Sequence, residues 1–143
     1  MTEMELLVEL LGRERTLLDV LVYRLVELRA LLVSGDGRFL AWAAEEVEDA
    51  TAAVRSAELH RALLVAQMAQ AHGLLEETLT LAVLVETADP PWRALLQDHR
   101  TALTTLAAEV DDQASAVRRL ARTTTDAVAA LLAQVGGADS VPA

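Results

Sequence analysis

Residues 4–32 read MELLVELLGRERTLLDVLVYRLVELRALL, and apolar residues recur through this stretch at alternating steps of three and four. The pattern has nine positions, all apolar except one. They are Met4, Leu7, Leu11, Glu14, Leu18, Leu21, Leu25, Leu28 and Leu32. An average step of about 3.5 residues keeps one face of a helix against a partner helix along its whole length. The stretch therefore predicts a long helix that packs side by side with other helices.

The same spacing recurs twice further along the chain, which indicates two more long helices. The second pattern runs from Leu40 to Ala71 and the third from Leu96 to Leu131. Further leucines beside the first pattern widen its apolar face, as in a helix that contacts two neighbours within a bundle. These are Leu10, Leu17 and Leu31.

Breaks between the three patterns set the predicted boundaries of the helices. Glycines interrupt the chain within 34–37 and at 73, and an acidic residue followed by two prolines at 89–91 is typical of a helix start. The predicted elements are a first helix ending near Val33, a second from about Arg38 to His72, a short helix within 78–88, and a last helix ending near Val135. The short loop after the first helix makes the first two an antiparallel hairpin.

The predicted fold class is all-α. It consists of an antiparallel hairpin of long helices, a short helix and a third long helix, arranged as a three- or four-helix bundle or coiled coil, with no strand. Residues 1–135 form one helical domain in this interpretation, and residues 136–143 form a short disordered C-terminal tail. Glu14 interrupts the first apolar pattern and Arg61 the second, at similar distances from a turn near residue 36, so the two can pair across the hairpin.

Composition limits the classes of partner. The 143 residues carry a net charge of −10, which argues against nucleic acid and anionic membrane surfaces, because both favour a basic face. Cysteine is absent, so disulfides and thiolate metal sites are excluded. The sequence begins without a basic and apolar leader, and no apolar stretch is long enough to enter a membrane. We therefore expect a cytoplasmic protein without membrane insertion.

Motifs for catalysis and cofactor binding are missing. None of His60, His72 and His99 follows a glutamate by three residues, as a helical di-metal site requires. The serines lie outside any Gly-x-Ser-x-Gly motif, and there is no glycine-rich phosphate loop. The sequence thus predicts no catalytic residue, no metal site and no cofactor. A small all-helical enzyme that uses arginines of the first helix, such as Arg13 and Arg15, is a less favoured alternative.

Five segments of the chain carry a family resemblance. They are Leu6–Glu14, Leu18–Leu32, Trp42–Glu48, Pro91–Leu96 and Asp98–Arg100, and the Pro-Trp pair that opens the last helix is the most specific feature. In this order they resemble FlgN-type flagellar export chaperones in their actinobacterial form. The resemblance covers about residues 3–135. All twelve basic residues are arginine, and Lys, Asn and Ile are absent, as expected for a protein from a GC-rich genome.

The resemblance implies a cytoplasmic chaperone that holds hook-associated (hook–filament junction) proteins before flagellar export. Such chaperones bind the amphipathic C-terminal segment of the client, largely through their own last helix. Contact with the flagellar export gate is also implied, but no aromatic residue follows Trp92, and Gln113 and Ala116 stand where the family often has paired asparagines. The identity of the client, the gate contact and the oligomeric state stay open. A structural coiled-coil scaffold without a client is the alternative.

The last helix is the expected binding surface for the client. Its apolar pattern contains more polar residues than the other two, so a client helix could complete it. The predicted apolar contact residues are Leu103, Leu106, Val110, Val117 and Leu120. The predicted rim consists of Arg118, Arg119 and Arg122, which form a basic cluster in an acidic chain.

Overall fold

The computed structural model describes residues 1–75 and 78–139, and the side chains of residues 1–75 and 78–134. Within these residues, it contains four α-helices and, after the first of them, a 3₁₀ turn. These are α1 (Glu3–Ser34), the 3₁₀ turn (Gly37–Phe39), α2 (Leu40–Ala71), α3 (Leu81–Thr87) and α4 (Pro90–Asp139). The predicted all-α class is confirmed, and the described residues contain no strand.

Local sequence explains how the hairpin of α1 and α2 begins and turns. Thr2 and Glu5 form the reciprocal capping box that satisfies two backbone donors at the start of α1. Gly35 ends α1 in the left-handed conformation, at φ 71°. Asp36 then accepts a hydrogen bond from the backbone N–H of Arg38, which starts the 3₁₀ turn. Because this turn comes first, α2 begins two residues later than the predicted start near Arg38.

In the second half of the chain, capping residues also determine where the helices begin and end. Gly73 ends the α2 region at φ 68°. The Thr80 side chain accepts a hydrogen bond from the N–H of Val83 and so caps α3. The first backbone hydrogen bond of α4 runs from the N–H of Arg93 to the carbonyl of Asp89 at 2.8 Å. The predicted start of the last helix is therefore confirmed.

The C-terminal end of α4 differs from the predicted one. The helix continues to Asp139, four residues beyond Val135, so residues 136–139 are helical rather than part of a disordered tail. Adding residues to an existing helix needs no new nucleation, which is why two glycines near a chain end need not stop it. The rest of the predicted tail, residues 140–143, lies outside the described residues.

The central element is α1, which packs against both α2 and α4. Contacts between α1 and α2 pair early residues with late ones: Glu14 meets Arg61 and Arg24 meets Glu46, at 2.6 Å and 2.7 Å between charged atoms. The two helices are therefore antiparallel. They form the predicted hairpin.

The orientation of α4 follows from its contacts with α1. Arg15 contacts Asp98 at 3.0 Å, and fourteen residues further along α1, Arg29 donates a hydrogen bond to Gln113 at 3.3 Å. Residue numbers rise together, so α4 runs parallel to α1. α3 packs against α4 and joins the base of the bundle, where the hairpin is open.

Apolar residues form two buried clusters. The cluster at the base joins α1, α2, α3 and α4, and its fully buried side chains include Leu7, Leu11 and Leu96. The second cluster lies nearer the hairpin turn and joins Leu18, Leu21, Leu25, Ala50, Val54 and Leu106. Seven of the nine positions in the first apolar pattern are buried, including Glu14, so the predicted packing face of α1 is confirmed.

Helix lengths leave one end of α4 outside the bundle. α1 and α2 have 32 residues each, and α4 has 50. The Arg29–Gln113 contact places the end of α1 at Ser34 beside about residue 118 of α4. Every residue from Ala121 to Gln134 is exposed. We call residues 121–134 the distal segment. With the last residues of α4, it extends about 30 Å beyond the hairpin turn, at 1.5 Å per residue.

Candidate helix-binding surface

The five apolar residues predicted to contact a client lie on one face of α4, but most of this face already packs against the hairpin. Leu106 is buried, and Leu103, Val110 and Val117 are half-buried against the cluster near the turn. Leu120 is half-buried at the level where the hairpin ends. The structure therefore assigns these side chains largely to the bundle itself, which covers the face only partly.

The same face of α4 continues into the distal segment, where it is bare. Residues of an α-helix turn by about 100° each, so Ala121, Thr124, Val128 and Leu132 lie within about 40° of the direction that Val110 takes toward the hairpin. Leu131 lies about 60° to one side of that direction. Val128, Leu131 and Leu132 are 51%, 62% and 65% exposed. We call these five residues the distal stripe.

The hairpin turn adds a second apolar surface at the foot of the distal segment. Val33 and Trp42 are 68% and 66% exposed, and the rings of Phe39 and Trp42 lie 5.8 Å apart. The guanidinium of Arg38 lies over the Phe39 ring at 4.8 Å, in cation–π geometry. We call Val33, Phe39 and Trp42 the hairpin tip. Val33 lines a groove together with Gln113 of α4 and borders, with the distal stripe, the space that α1 would occupy if it continued past Ser34. Trp42 lies one turn before Glu46, which pairs with Arg24 on the side of α1 opposite Arg15, so Trp42 faces away from α4.

A shallow groove leads from the side of the bundle toward this space. It has a volume of about 450 Å³ and lies between the last turns of α1 and the middle of α4. Its lining residues are Val26, Arg29, Ala30, Val33, Ser34 and Gln113. Apolar surface on α1 thus continues up to the hairpin tip.

The three predicted rim arginines lie beside the hairpin turn and are all exposed. Arg118 donates a hydrogen bond to the Ser115 hydroxyl at 3.1 Å. The part of α4 from Arg118 to Gln134 contains three arginines and one aspartate, Asp126. Its net charge is therefore +2, whereas the whole chain carries −10. A basic patch beside a bare apolar face favours an amphipathic partner that carries acidic residues.

Three consecutive threonines at the start of the distal segment keep their hydroxyls within the helix. Thr123, Thr124 and Thr125 donate to the carbonyls four residues before them, at 3.0, 3.0 and 2.9 Å. This back-bonding satisfies the polar groups, although such residues have low helix propensity. Thr124 consequently presents an apolar methyl group along with a hydroxyl that is already bonded.

A layer of polar contacts joins α1 to both neighbours within the bundle. The guanidinium of Arg61 donates to both carboxylate oxygens of Glu14, at 2.6 Å and 3.0 Å, and Glu14 is only 3% exposed. The predicted pairing across the hairpin is therefore confirmed. The bidentate geometry gives both oxygens of this buried carboxylate a hydrogen-bond partner, which limits the cost of burying it.

On the other side of α1, Arg15 contacts Asp98 and His99 of α4. Its guanidinium lies 3.0 Å from the Asp98 carboxylate and 3.3 Å from Nδ1 of His99. Because arginine can only donate, Nδ1 accepts and the imidazole proton resides on Nε2. Burial of His99, and then the charge of Arg15, lower the pKa of the imidazole below its usual value of 6.5, while Asp98 acts in the opposite direction. Neutral His99 thus fits this layer.

A further cavity lies at the opposite end of the bundle, between α3 and the ends of the long helices. It has a volume of about 560 Å³, and Met4, Met68, Leu79 and Trp92 are among its lining residues. His72 stands at its rim. Across residues 1–75 and 78–134, whose side chains the structure describes, no group of three or more His, Asp or Glu side chains is placed to hold a metal ion.

Comparison with known proteins leaves the interpretation to the sequence and the geometry. No family model, no curated protein and no solved structure matches this chain. Within the part of the chain that the structure describes, no helix is both long and apolar enough to cross a membrane.

The sequence-based prediction placed the client contacts on the part of α4 that packs against the hairpin, and the distal stripe lies further along the same face. It named Leu131 as a position of the apolar pattern but missed Val128 and Leu132. A repeat of 3.5 residues drifts away from the true face of a straight helix, so positions far along the pattern point aside. Counting at 3.6 residues per turn places Val128 and Leu132 on the face of Val110, although it does not tell which part of that face the hairpin covers.

Proposed function

We propose that this protein is a cytoplasmic export chaperone that binds the C-terminal helical segment of hook-associated flagellar proteins and keeps them competent for export. The observation that carries the proposal is the distal stripe, a bare continuation of the face by which α4 packs into its own bundle. The resemblance to FlgN-type chaperones supports the class of client. It also supports the expectation of contact with the export gate.

An amphipathic helix is the occupant that fits this surface. A client helix that lies along the distal stripe would extend the bundle where α1 ends, with its apolar face on α4 and one end against the hairpin tip. Burying Val128, Leu131 and Leu132 would contribute about 1.5–3 kcal/mol each, before the cost of ordering the client is subtracted. Because the cost of ordering the client offsets part of the gain from burial, the net binding free energy supports binding that can be reversed at the export apparatus.

Charge supports a client with acidic residues beside its apolar face. Arg118 and Arg122 flank the distal stripe, and the rest of the acidic chain repels such a segment. Attraction at one end and repulsion elsewhere would guide the client to α4 and raise its association rate at low salt.

We propose a binding role without catalysis, metal or cofactor. The polar side chains that join α1 to its two neighbours, Glu14, Arg15, Arg61, Asp98 and His99, satisfy one another through the contacts described above. Their arrangement supports a structural role, in which they fix the register of three helices.

The proposal is tested by binding of a peptide that spans the C-terminal region of a hook-associated protein from the same genome. Val128→Asp with Leu132→Asp should weaken its binding at least tenfold in calorimetry, while the circular dichroism of the bundle stays unchanged. The matched control is Leu59→Asp with Leu63→Asp, which changes two residues one turn apart on α2 that are 58% and 54% exposed. An equal loss of affinity in both variants, or no loss in either, would refute the assignment of client binding to the distal stripe.

A further variant separates the distal stripe from the surface predicted from the sequence. Val110 and Val117 pack against the hairpin, so aspartates there should loosen the bundle as well as reduce client binding. If Val110→Asp with Val117→Asp leaves the fold intact and alone abolishes binding, the client lies nearer the middle of α4. If no client segment binds and the chain only self-associates, the structural scaffold is the better interpretation.

A further inference from the structure

We propose that, in the absence of a client, the distal stripe is covered by the distal segment of a second copy of this chain. The result is an antiparallel homodimer whose interface is the client site. The regulatory part of this inference, competition between client and second copy, rests on the proposed function. The dimer itself rests only on geometry and charge.

Length is the first argument for a second copy as the occupant. The bare end of α4 reaches about 30 Å past the hairpin turn, so an occupant needs a helix of that length with an apolar face. A second α4 placed antiparallel has this length by symmetry. When the tip of each α4 reaches the hairpin tip of the other chain, a two-fold axis passes near Val128.

The order of residues along the stripe supports this symmetry. With the axis at Val128, the two Val128 side chains face each other, and Thr124 of one copy faces Leu132 of the other. The apolar residues near the end of α4 then cover the weaker, threonine-containing part of the stripe in the second copy. Both weak parts are covered at once, as expected of an isologous interface.

Charge favours the antiparallel over the parallel arrangement. The chain carries −10 in total, of which residues 118–134 contribute +2 and the remainder −12. A parallel pair would bring two arginine clusters together and two acidic bundles side by side. In the antiparallel pair the clusters are about 24 Å apart along the axis, beyond the screening length of about 8 Å at physiological salt.

The helix dipole adds a specific attraction in this arrangement. The last turn of α4 carries no basic residue, so the partial negative charge at its carbonyl end has no cation within that turn. In the antiparallel dimer that end lies beside Arg118 and Arg122 of the second copy. The arginine cluster thus has a function in the free protein as well as toward an acidic client.

The interface is short, which suits a dimer that a client can replace. Each copy contributes the five residues of the distal stripe and part of the hairpin tip. Such a patch lies at the small end of specific interfaces, where dissociation constants on the order of micromolar are usual. A client helix that binds more tightly would convert the dimer into one-to-one complexes.

The first experiment measures mass by light scattering during size exclusion. The full chain, loaded at about 100 μM, should have twice the 15.4 kDa mass of one copy. Val128→Glu with Leu132→Glu should have the mass of one copy, and the control Leu59→Glu with Leu63→Glu should stay dimeric. A full chain that stays at 15.4 kDa, or a distal variant that stays dimeric, would overturn the proposal.

The second experiment tests the orientation, and the absence of native cysteine makes it direct. Val128→Cys should form an intermolecular disulfide on mild oxidation, because the two residues meet at the axis. Ala121→Cys should not, because its two copies lie about 21 Å apart, far beyond the roughly 6 Å between Cα atoms of a disulfide. Cross-linking of both variants would indicate a parallel pair and would contradict the proposed arrangement.

The third experiment separates this inference from the proposed function. The client peptide is added to oxidised and to reduced Val128→Cys. Binding only after reduction supports competition for one surface, and equal binding in both states refutes it. If the chain is a dimer that no client peptide dissociates, the proposed interface is retained and the proposed chaperone function is refuted. If the chain is monomeric and binds the client, the chaperone function is retained and the dimer is refuted.

Discussion

Glu14 is a buried carboxylate in a pattern of leucines, and its energetic effect depends on Arg61. Arg61 donates two hydrogen bonds to it from the facing helix, which ties α1 and α2 at one register. Shifting the hairpin by one turn would bury the carboxylate without its partner, a loss of several kcal/mol. The polar pair is therefore better understood as a device for register than as a source of net stability.

Breaking this pair from one side should be costly. Arg61→Ala leaves the Glu14 carboxylate 3% exposed and unpaired, and we expect it to lower the free energy of unfolding by about 3 kcal/mol, because Arg61 itself is partly exposed. Urea denaturation followed by circular dichroism measures the change. The double variant Glu14→Leu with Arg61→Leu should recover most of the loss. A single variant that costs less than about 1 kcal/mol would show that water replaces the arginine.

His99 should make stability dependent on pH. Its pKa is lowered in the folded state by burial and by Arg15, so the unfolded chain binds a proton more readily. The contribution of neutral His99 is complete above the usual pKa of 6.5 and is lost as pH falls below it toward the lowered pKa. We expect unfolding free energy to fall between about pH 7 and pH 5. His99→Gln should reduce that slope, and an unchanged slope would assign it to other groups.

At the level of helices, replacing each of two glycines by alanine should change the stability of the protein in opposite directions. Gly12 lies within α1, and a Cβ there would lie 3.8 Å from Cε1 of His99, an ordinary contact distance. Gly12→Ala should therefore stabilise the protein by about 1 kcal/mol through helix propensity. Gly35 ends α1 at φ 71°, so Gly35→Ala should destabilise it by about 1 kcal/mol. Thermal unfolding of the two variants should shift in opposite directions, and shifts of the same sign would contradict this account.

Much of each helix could be predicted from the sequence, because a packing face repeats at a fixed spacing. The buried face of α1, its end at the glycines of 34–37 and the start of α4 at Asp89 followed directly from residue types. The 3₁₀ turn was missed, because Gly37–Phe39 satisfy a local hydrogen-bond pattern that resembles the first turn of a helix. The ends of a helix depend on such local hydrogen bonds more than on the apolar pattern.

The bare part of α4, which is the candidate binding surface, could be predicted only in part, for a reason that concerns the whole molecule. Helix lengths alone indicate that α4 must extend beyond the hairpin. Which end is bare depends on the height at which α4 docks, and that is set by tertiary contacts such as Arg15 with Asp98 and Arg29 with Gln113. Spacing within one helix carries no information about this register, so the predicted client contacts fell on the part of the face that the hairpin covers.

The division of α4 into a packed and a bare part predicts the effect of shortening the chain. A chain that ends at Arg122 keeps the residues of α4 that contact the hairpin, up to Val117 and Leu120, and loses the exposed distal segment. It should fold, with an unfolding free energy within about 0.5 kcal/mol of the full chain in dilute solution, as is usual for changes at exposed positions. Its unfolding midpoint should not depend on protein concentration, because the dimer interface is gone.

A shorter chain that ends at Thr101 is the contrasting variant. It loses Leu103, Leu106 and Val110, so one wall of the cluster near the turn is removed and Leu18, Leu21 and Leu25 become exposed. Each such side chain contributes about 1.5–3 kcal/mol when buried, and the total stability of a domain this size is about 5–15 kcal/mol, so this chain should not fold stably. Circular dichroism and urea denaturation compare both chains with the full one. If the chain ending at Arg122 also unfolds, the distal segment supports the bundle from above, and its exposed face is not a surface held open for a partner helix.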